Sequence, residues 1–293
     1  MSADATPLVR GISARRRRTD LAMRGVLAVM TGIALVPLVL VVYYLLQRGL
    51  GAWSWHFFTT DPTGNFLGDP GGIKSAILGT LVIVGLATLM AVPLGVLIAL
   101  YLVEYGQDSS FARTVRYFVD VLTGVPSIVF GLFVYVTLVV AHVGGSGFAG
   151  WKGAVALGLL MLPVVIRAGE VVLLLVPDSL REAALALGAP RWKVALRVVL
   201  PTAAPGLLTG SMLAVARAAG ETAPLLFTAA IALSTSFGVN SRMNSLPAQI
   251  FADVGQAQDR LVQRAWGAAL TLVVLILILT LIARLLQRRN RLT

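Results

Sequence analysis

IKSAILGTLVIVGLATLMAVPLGVLIALYLV, residues 73–103, carries a single charged side chain, Lys74 near its start. About 20 apolar residues in a helix cross the hydrocarbon core of a bilayer. A backbone in lipid must also satisfy its own hydrogen bonds, so a run of this length predicts a transmembrane helix. Five further stretches read the same way, at about 25–46, 119–141, 154–176, 205–233 and 265–286. The predicted fold is all-α, a polytopic membrane protein of six transmembrane helices joined by short connections. A basic tail covers 1–24 and one membrane domain covers 25–293, with its core at about 73–287.

Composition agrees. Hydrophobic residues make up 57% of the 293 and charged residues 13%, where a soluble domain carries roughly 25% charged. A soluble enzyme and a disordered chain are both excluded. The absence of cysteine excludes a disulfide scaffold, thiolate zinc sites, iron–sulfur clusters and a cysteine nucleophile. His56 and His142 are the only histidines, and no metal site or catalytic residue is predicted. No GxxxxGK[ST] run is present, so the chain supplies no ATPase motor by that route. Arg15–Arg18 precede an apolar run too long for a signal-peptide core, which predicts a retained helix.

Basic residues set the orientation. With the N-terminus in the cytoplasm, sixteen fall on that side. Six fall on the other: Arg48, Lys74, Lys152, Arg242, Arg260 and Arg264. Both termini are therefore expected in the cytoplasm. The net charge of +11 then matches anionic lipid head groups rather than nucleic acid.

Between the fourth and fifth spans lies VPDSLREAALALGAPRWKVALRVVLP, residues 176–201. Ser179 and Glu182 have the spacing of a capping box, and Leu180, Ala183, Ala184 and Leu187 share a face at helical spacing. Gly188 suits a helix C-terminus, and Pro190 suits the first turn of a second helix. Trp192, Leu196 and Val199 are expected on one side of that helix, with Pro201 and Pro205 stopping it before span five. The segment at about 177–201 is thus a predicted hairpin. It is either an interfacial connector or a knob that docks into a cytoplasmic partner.

Glu182-Ala183-Ala184, Gly188, Val198 and Leu200-Pro201 resemble the EAA loop of bacterial ABC-importer permeases. Residues 71–80, 122–131, 162–167 and 216–225 are similar to the A-subunit permeases of phosphate ABC importers, in register over about 70–290. That family often carries a Thr–Thr–Glu–Glu run after the span-four arginine. Here the run is Ala168-Gly169-Glu170-Val171, so only Glu170 carries over. The resemblance implies a MetI-like fold in the bacterial cytoplasmic membrane and a heterodimer with a second related permease. It further implies two copies of a cytoplasmic ATPase, which use ATP and Mg, and an extracytoplasmic phosphate-binding protein. No cofactor is expected on this chain. Glu182, Ala183, Ala184, Leu187 and Gly188 would couple it to the ATPase. Alternatives are a permease for sulfate, molybdate or another solute, and a stand-alone channel or carrier.

Arg167 and Glu170 lie three apart in span four; Arg217 and Glu221 lie four apart in span five. Each pair can share a helix face. A charge at mid-bilayer costs about 2.5–3.5 kcal/mol on the insertion scale. Such groups either fix helix packing as ion pairs or line an anion pathway. The guanidinium fork matches an oxyanion. A carboxylate nearby would accept a proton from phosphate, which sulfate does not carry, and so favour phosphate. Pro163, Gly220 and Pro224, with Gly169, flank these charges as candidate hinges, and Pro126 and Gly131 do the same in span three. The residues Trp53, Trp55, His56, Phe57 and Phe58 read as an interfacial aromatic belt, and Asp120 as a helix N-terminal charge. The outer segment 234–263, with a short helix expected at 246–257, is either a docking surface for the binding protein or a solvated connector.

Overall fold

The computed structural model describes residues 14–289, except 66, 67, 107, 108 and 146. The residues up to Gln47 form one compact unit and those from Arg48 a second, and each is described by itself. The first is the long apolar helix α1, Ala14–Gly49, with Pro37 inside it. At about 1.5 Å per residue, its length exceeds a bilayer core.

The second unit begins with the short α2, Trp55–Thr59. The span quoted above is α3, Lys74–Glu104. Then come α4, Ser110–Gly124, and α5, Ser127–Val134, which continues as a π-helical turn over Tyr135–Val140. Next are α6, Gly150–Leu174, and α7, Asp178–Ala186. Helix α8, Arg191–Val194, passes through a π turn at Ala195–Val199 into α9, Leu200–Ala219. The short α10, Ala223–Thr228, and α11, Leu246–Val254, precede α12, Asp259–Arg289. No strand occurs among the described residues.

Among the described residues five helical stretches are long and apolar enough to cross a membrane, and α4 with α5 makes a sixth only as a pair bent by 103°. The third span is therefore not a straight 119–141 helix. It starts at Ser110, where the Ser109 side chain accepts from the Ala112 N–H at 3.2 Å and caps it. It breaks at Val125-Pro126, where proline lacks the N–H that would continue the ladder. The fifth span is displaced as well. Its helix runs over Arg191–Ala219 rather than 205–233. Pro201 and Pro205 lie within it and do not stop it. The π turn just ahead of Pro201 widens the spiral and makes room for its ring.

The core is built on α3 against α6, with α9 packed on both. Ile83, Ala87 and Ala91 of α3 meet Leu157, Met161 and Val165 of α6 and Ala214 and Ala218 of α9. Small side chains let the backbones approach, the usual source of helix association in lipid. At Gly131 of α5 a Cβ would lie 2.6 Å from Pro224 Cα, so only glycine lets α10 pack there.

Candidate functional site: an intramembrane charge network and a cytoplasmic clamp

Helix α6 runs unbroken through Pro163 and brings Arg167 and Glu170 onto one face. Arg167 Nη1 donates to Glu170 Oε2 at 2.8 Å. The second oxygen, Glu170 Oε1, accepts from Arg116 Nε of α4 at 2.8 Å. Arg116 Nη2 donates to the Leu102 carbonyl near the end of α3 at 2.7 Å. Arg167 Nη2 bonds to Asp120 Oδ1 of α4. Glu170 is thus clasped between two arginines, with its side chain 7% exposed, and the four charges cancel. Mutual neutralisation, with both oxygens of the buried Glu170 paired, is what allows charge in such a place.

Arg116 and Asp120 were not among the expected site residues. In the sequence, Asp120 reads as a helix N-terminal charge and Arg116 counts only among the basic residues of the cytoplasmic side. Both lie inside α4, and Asp120 is a partner of Arg167 rather than a cap. Their four-residue spacing was a usable signal, hidden because the polar first turns of α4 fall outside the apolar window.

Arg217 and Glu221 are also brought together, but loosely. Arg217 Nε lies 4.0 Å from Glu221 Oε1, and the arginine side chain is 58% exposed. Gly220, between them, caps the C-terminus of α9, and Pro224 stands in the first turn of α10. The chain therefore breaks at Gly220–Thr222, whereas Pro163 marks no break. Its ring is absorbed in a continuous helix whose neighbours hold it buried.

Helix α7 starts at Asp178, with Pro177 as its N-cap and no side-chain cap bond. Ser179 therefore sits inside the first turn, and the expected capping box does not form. At the other end, Gly188 has φ +81. Its N–H donates to Leu185 O at 2.9 Å, and the Ala189 N–H donates to Ala184 O at 3.2 Å. This pair of bonds is a Schellman close, as glycine at that position predicts. Glu182, Ala183 and Leu187 are exposed, Leu187 by 89%, while Ala184 is half-buried against the start of the next helix. In that next helix the buried residues are Val194, Ala195 and Val199; Trp192 and Leu196 are exposed. The expected Trp192–Leu196–Val199 side is corrected accordingly, because the π turn rotates the stripe.

Arg181 was also missed. Its Nε and Nη2 reach Glu104 Oε1 at 3.0 Å. Nη1 donates to Val176 O at 2.6 Å and to Asp178 Oδ1 at 2.9 Å, and Nη2 to Leu173 O at 3.0 Å.

At the opposite end, Lys152 is fully buried and its Nζ donates to Leu138 O at 3.0 Å and Gly147 O at 2.8 Å. The segment before α12 is more built than a solvated connector. Arg264 holds Asp253 in two bonds of 2.7 and 2.8 Å. Gln249 Nε2 donates to Asp253 at 3.0 Å, and Asn244 Nδ2 donates to Gln249 Oε1 at 2.7 Å. All four side chains are buried. The expected helix there is α11, capped by Ser245. No cluster of three or more metal-ligating side chains occurs among the described residues.

Comparison with known proteins agrees with this geometry. Residues 91–292 match the family described as binding-protein-dependent transport system inner membrane component. The chain is 43% identical over 267 residues to the Mycobacterium tuberculosis phosphate transport system permease protein PstA 1, covering 89% of this chain and 86% of that one. It is 40% identical over 271 residues to the Haemophilus influenzae phosphate transport system permease protein PstA, covering 92% and 94%. Among solved structures, a bacterial alginate ABC transporter superposes with a TM-score of 0.67 at 16% identity, covering 93% of this chain and 96% of that one. The MetNI methionine ABC transporter does so with a TM-score of 0.59 at 21% identity, covering 75% and 94%. These two likenesses give the fold, which is that of MetI-like ABC-importer permeases. The chain belongs to the family of binding-protein-dependent transport inner membrane components.

Proposed function

We propose that this chain is the A-type permease subunit of a phosphate ABC importer and forms half of the translocation pathway. Identity of about 40% with phosphate permeases along nearly the whole chain carries this reading. The charge network supports it chemically. Arg217 is open on its exposed side and only loosely paired with Glu221. Arg167 holds an exposed carboxylate, Asp120, on its outer prong, where an incoming oxyanion can compete. Glu170 stays paired on both oxygens and keeps Arg167 aimed. Arg167, Glu170, Arg217 and Glu221 are thus the pathway residues, and a protonated phosphate donates to a carboxylate where sulfate would meet only repulsion. The break at Gly220–Thr222, with Pro224 just beyond it, is the hinge, and Pro163, inside a continuous helix, is not.

The exposed face of α7, from Glu182 and Ala183 to Leu187 and Gly188, docks into a cytoplasmic ATPase, with Ala184 seating that face on the next helix. Two ATPase copies, which hold ATP and Mg, would serve this chain and a second related permease. A phosphate-binding protein would deliver substrate to the outer loops. Neither a cofactor on this chain nor nucleic acid enters the scheme. The setting is the bacterial inner membrane, both termini cytoplasmic.

The test is ATP-driven uptake by the assembled complex in proteoliposomes. Labelled phosphate should accumulate only with ATP and the binding protein, and excess sulfate or molybdate should not reduce uptake. Competition by either would move the assignment to a broader oxyanion permease, and flux through this chain alone would make it a channel or carrier.

A further inference from the structure

Arg181 is the residue immediately before the exposed Glu182 and Ala183 of α7, yet its own side chain turns the other way and is only 16% exposed. It enters the corner where two spans end. Of its two carboxylate partners, Asp178 is on α7 itself and exposed, while Glu104 is the last residue of α3 and is 13% exposed. Leu173 and Val176, its carbonyl partners, lie at the end of α6 and just beyond it. The last carbonyls of a helix have no donor within the helix, and a cation there is favoured by the helix dipole. All three guanidinium nitrogens are engaged, so the side chain is fixed in one geometry. Helix α7 otherwise packs on α8 and the π turn that lead into α9, through Ala184 and Ala189.

We propose that Arg181 is a positioning residue that transmits the movement of α7 to the cytoplasmic ends of α3 and α6, and so to the charge network. Helix α7 carries the motor-facing surface, and α9 leaves it by direct connection. The chain also reaches α7 from α6 through residues 175–177, so what Arg181 adds is a side-chain tie to the end of α3, which has no chain connection to α7, and a second grip on the end of α6. With it, α3 is drawn by the same push that moves α6 and α9. Glu170 lies three residues before Leu173 on α6, so displacement at the clamp reaches the carboxylate that holds Arg116 and Arg167. If the corner needed only stability, well-packed apolar side chains would provide as much or more. A charged fork that grips one span end by its carboxylate and another by its carbonyls is suited to carrying force in both directions.

This inference rests on the importer reading, and its test separates the two. Phosphate uptake and ATP hydrolysis are measured on the same proteoliposomes of the whole complex. Arg181→Ala and Glu104→Gln should each lower the phosphate imported per ATP by about fivefold or more, the low end of ordinary coupling between sites. The ATPase should still co-purify and hydrolyse ATP. Arg181→Lys should recover part of the ratio, and the double variant should fall no further than Arg181→Ala, as expected for two groups acting as one pair. An assembled Arg181→Ala complex with an unchanged ratio overturns the proposal. Should that variant not assemble, an unchanged ratio in Glu104→Gln overturns it equally, and a reduced one supports it. If the unaltered complex captures no ATPase, or imports no phosphate, the importer reading itself fails and takes the clamp's role with it.

Discussion

At the scale of single residues, the two membrane carboxylates do different work although the sequence presents them as twins. Glu170 is buried and holds two arginines; Glu221 has one distant, exposed partner. Glu170→Gln leaves two guanidinium groups with a neutral amide between them. Removing one partner of a fully buried ion pair costs about 3–5 kcal/mol; here both arginines are about a third exposed and Arg167 keeps Asp120, so solvent screening reduces the loss, and the detergent-solubilised complex should show it as a modestly lowered unfolding midpoint. Arg217→Gln removes a side chain from an exposed, loose pair, whose stability contribution is about 0–1 kcal/mol. Its complex should unfold as the unaltered one does and still lose phosphate uptake. Wild-type uptake in Arg217→Gln would remove that residue from the pathway. The pairing of Arg167 with Glu170 was legible because helical spacing alone puts them together. Their bonds to Arg116 and Asp120 were not, since no local pattern reports which distant helix face a guanidinium will meet.

At the scale of the element, legibility followed how local the determining physics is. Gly188 ends α7 by its own backbone freedom, and the sequence sufficed to place it. The course of the following helix past Pro201 depends on a π turn whose buried residues are fixed by α3 and α6, and proline read locally gave the wrong stop. At Val125-Pro126 the sequence offered Pro126 as a candidate hinge but not the sharpness of the bend, because hydropathy runs smoothly through it and registers no direction. The Gly188 turn carries its own prediction. A left-handed backbone costs an ordinary L-residue about 1–2 kcal/mol, so Gly188→Val should tilt or fray the end of α7 that displays Leu187. Uptake by the assembled complex should fall severalfold. Gly188→Asn, a residue that enters this conformation more readily, should retain more of it. Equal losses for both would show that side-chain bulk against a partner, and not the backbone, is what glycine provides here.

At the scale of the whole molecule, the loops of the second unit gather into two sets. Arg181 joins the end of α3 to the end of α6 in one set. In the other, Lys152 at the start of α6 bonds to Leu138 at the end of the bent pair, Asp61 accepts from the Thr235 N–H at 2.8 Å, and the Leu246 N–H donates to Thr80 Oγ1 at 2.9 Å. Among the basic residues from Arg48 onward, the sequence expectation puts ten on the side of the first set and six on the side of the second. On the proposed importer reading, the positive-inside asymmetry would put α7 in the cytoplasm and α2 outside. The chain has no cysteine, so this is open to single-cysteine labelling without background. Leu187 on the first set is 89% exposed and Trp55 on the second is 84% exposed, so neither substitution disturbs a core. In intact cells a membrane-impermeant maleimide should label Trp55→Cys and leave Leu187→Cys untouched until the cytoplasmic face is opened. In inverted vesicles the order should reverse, and addition of the ATPase subunit should protect only Leu187→Cys. Labelling of Leu187→Cys from outside would invert the molecule and put the clamp and the exposed α7 face on the opposite side of the membrane from any ATP-driven partner.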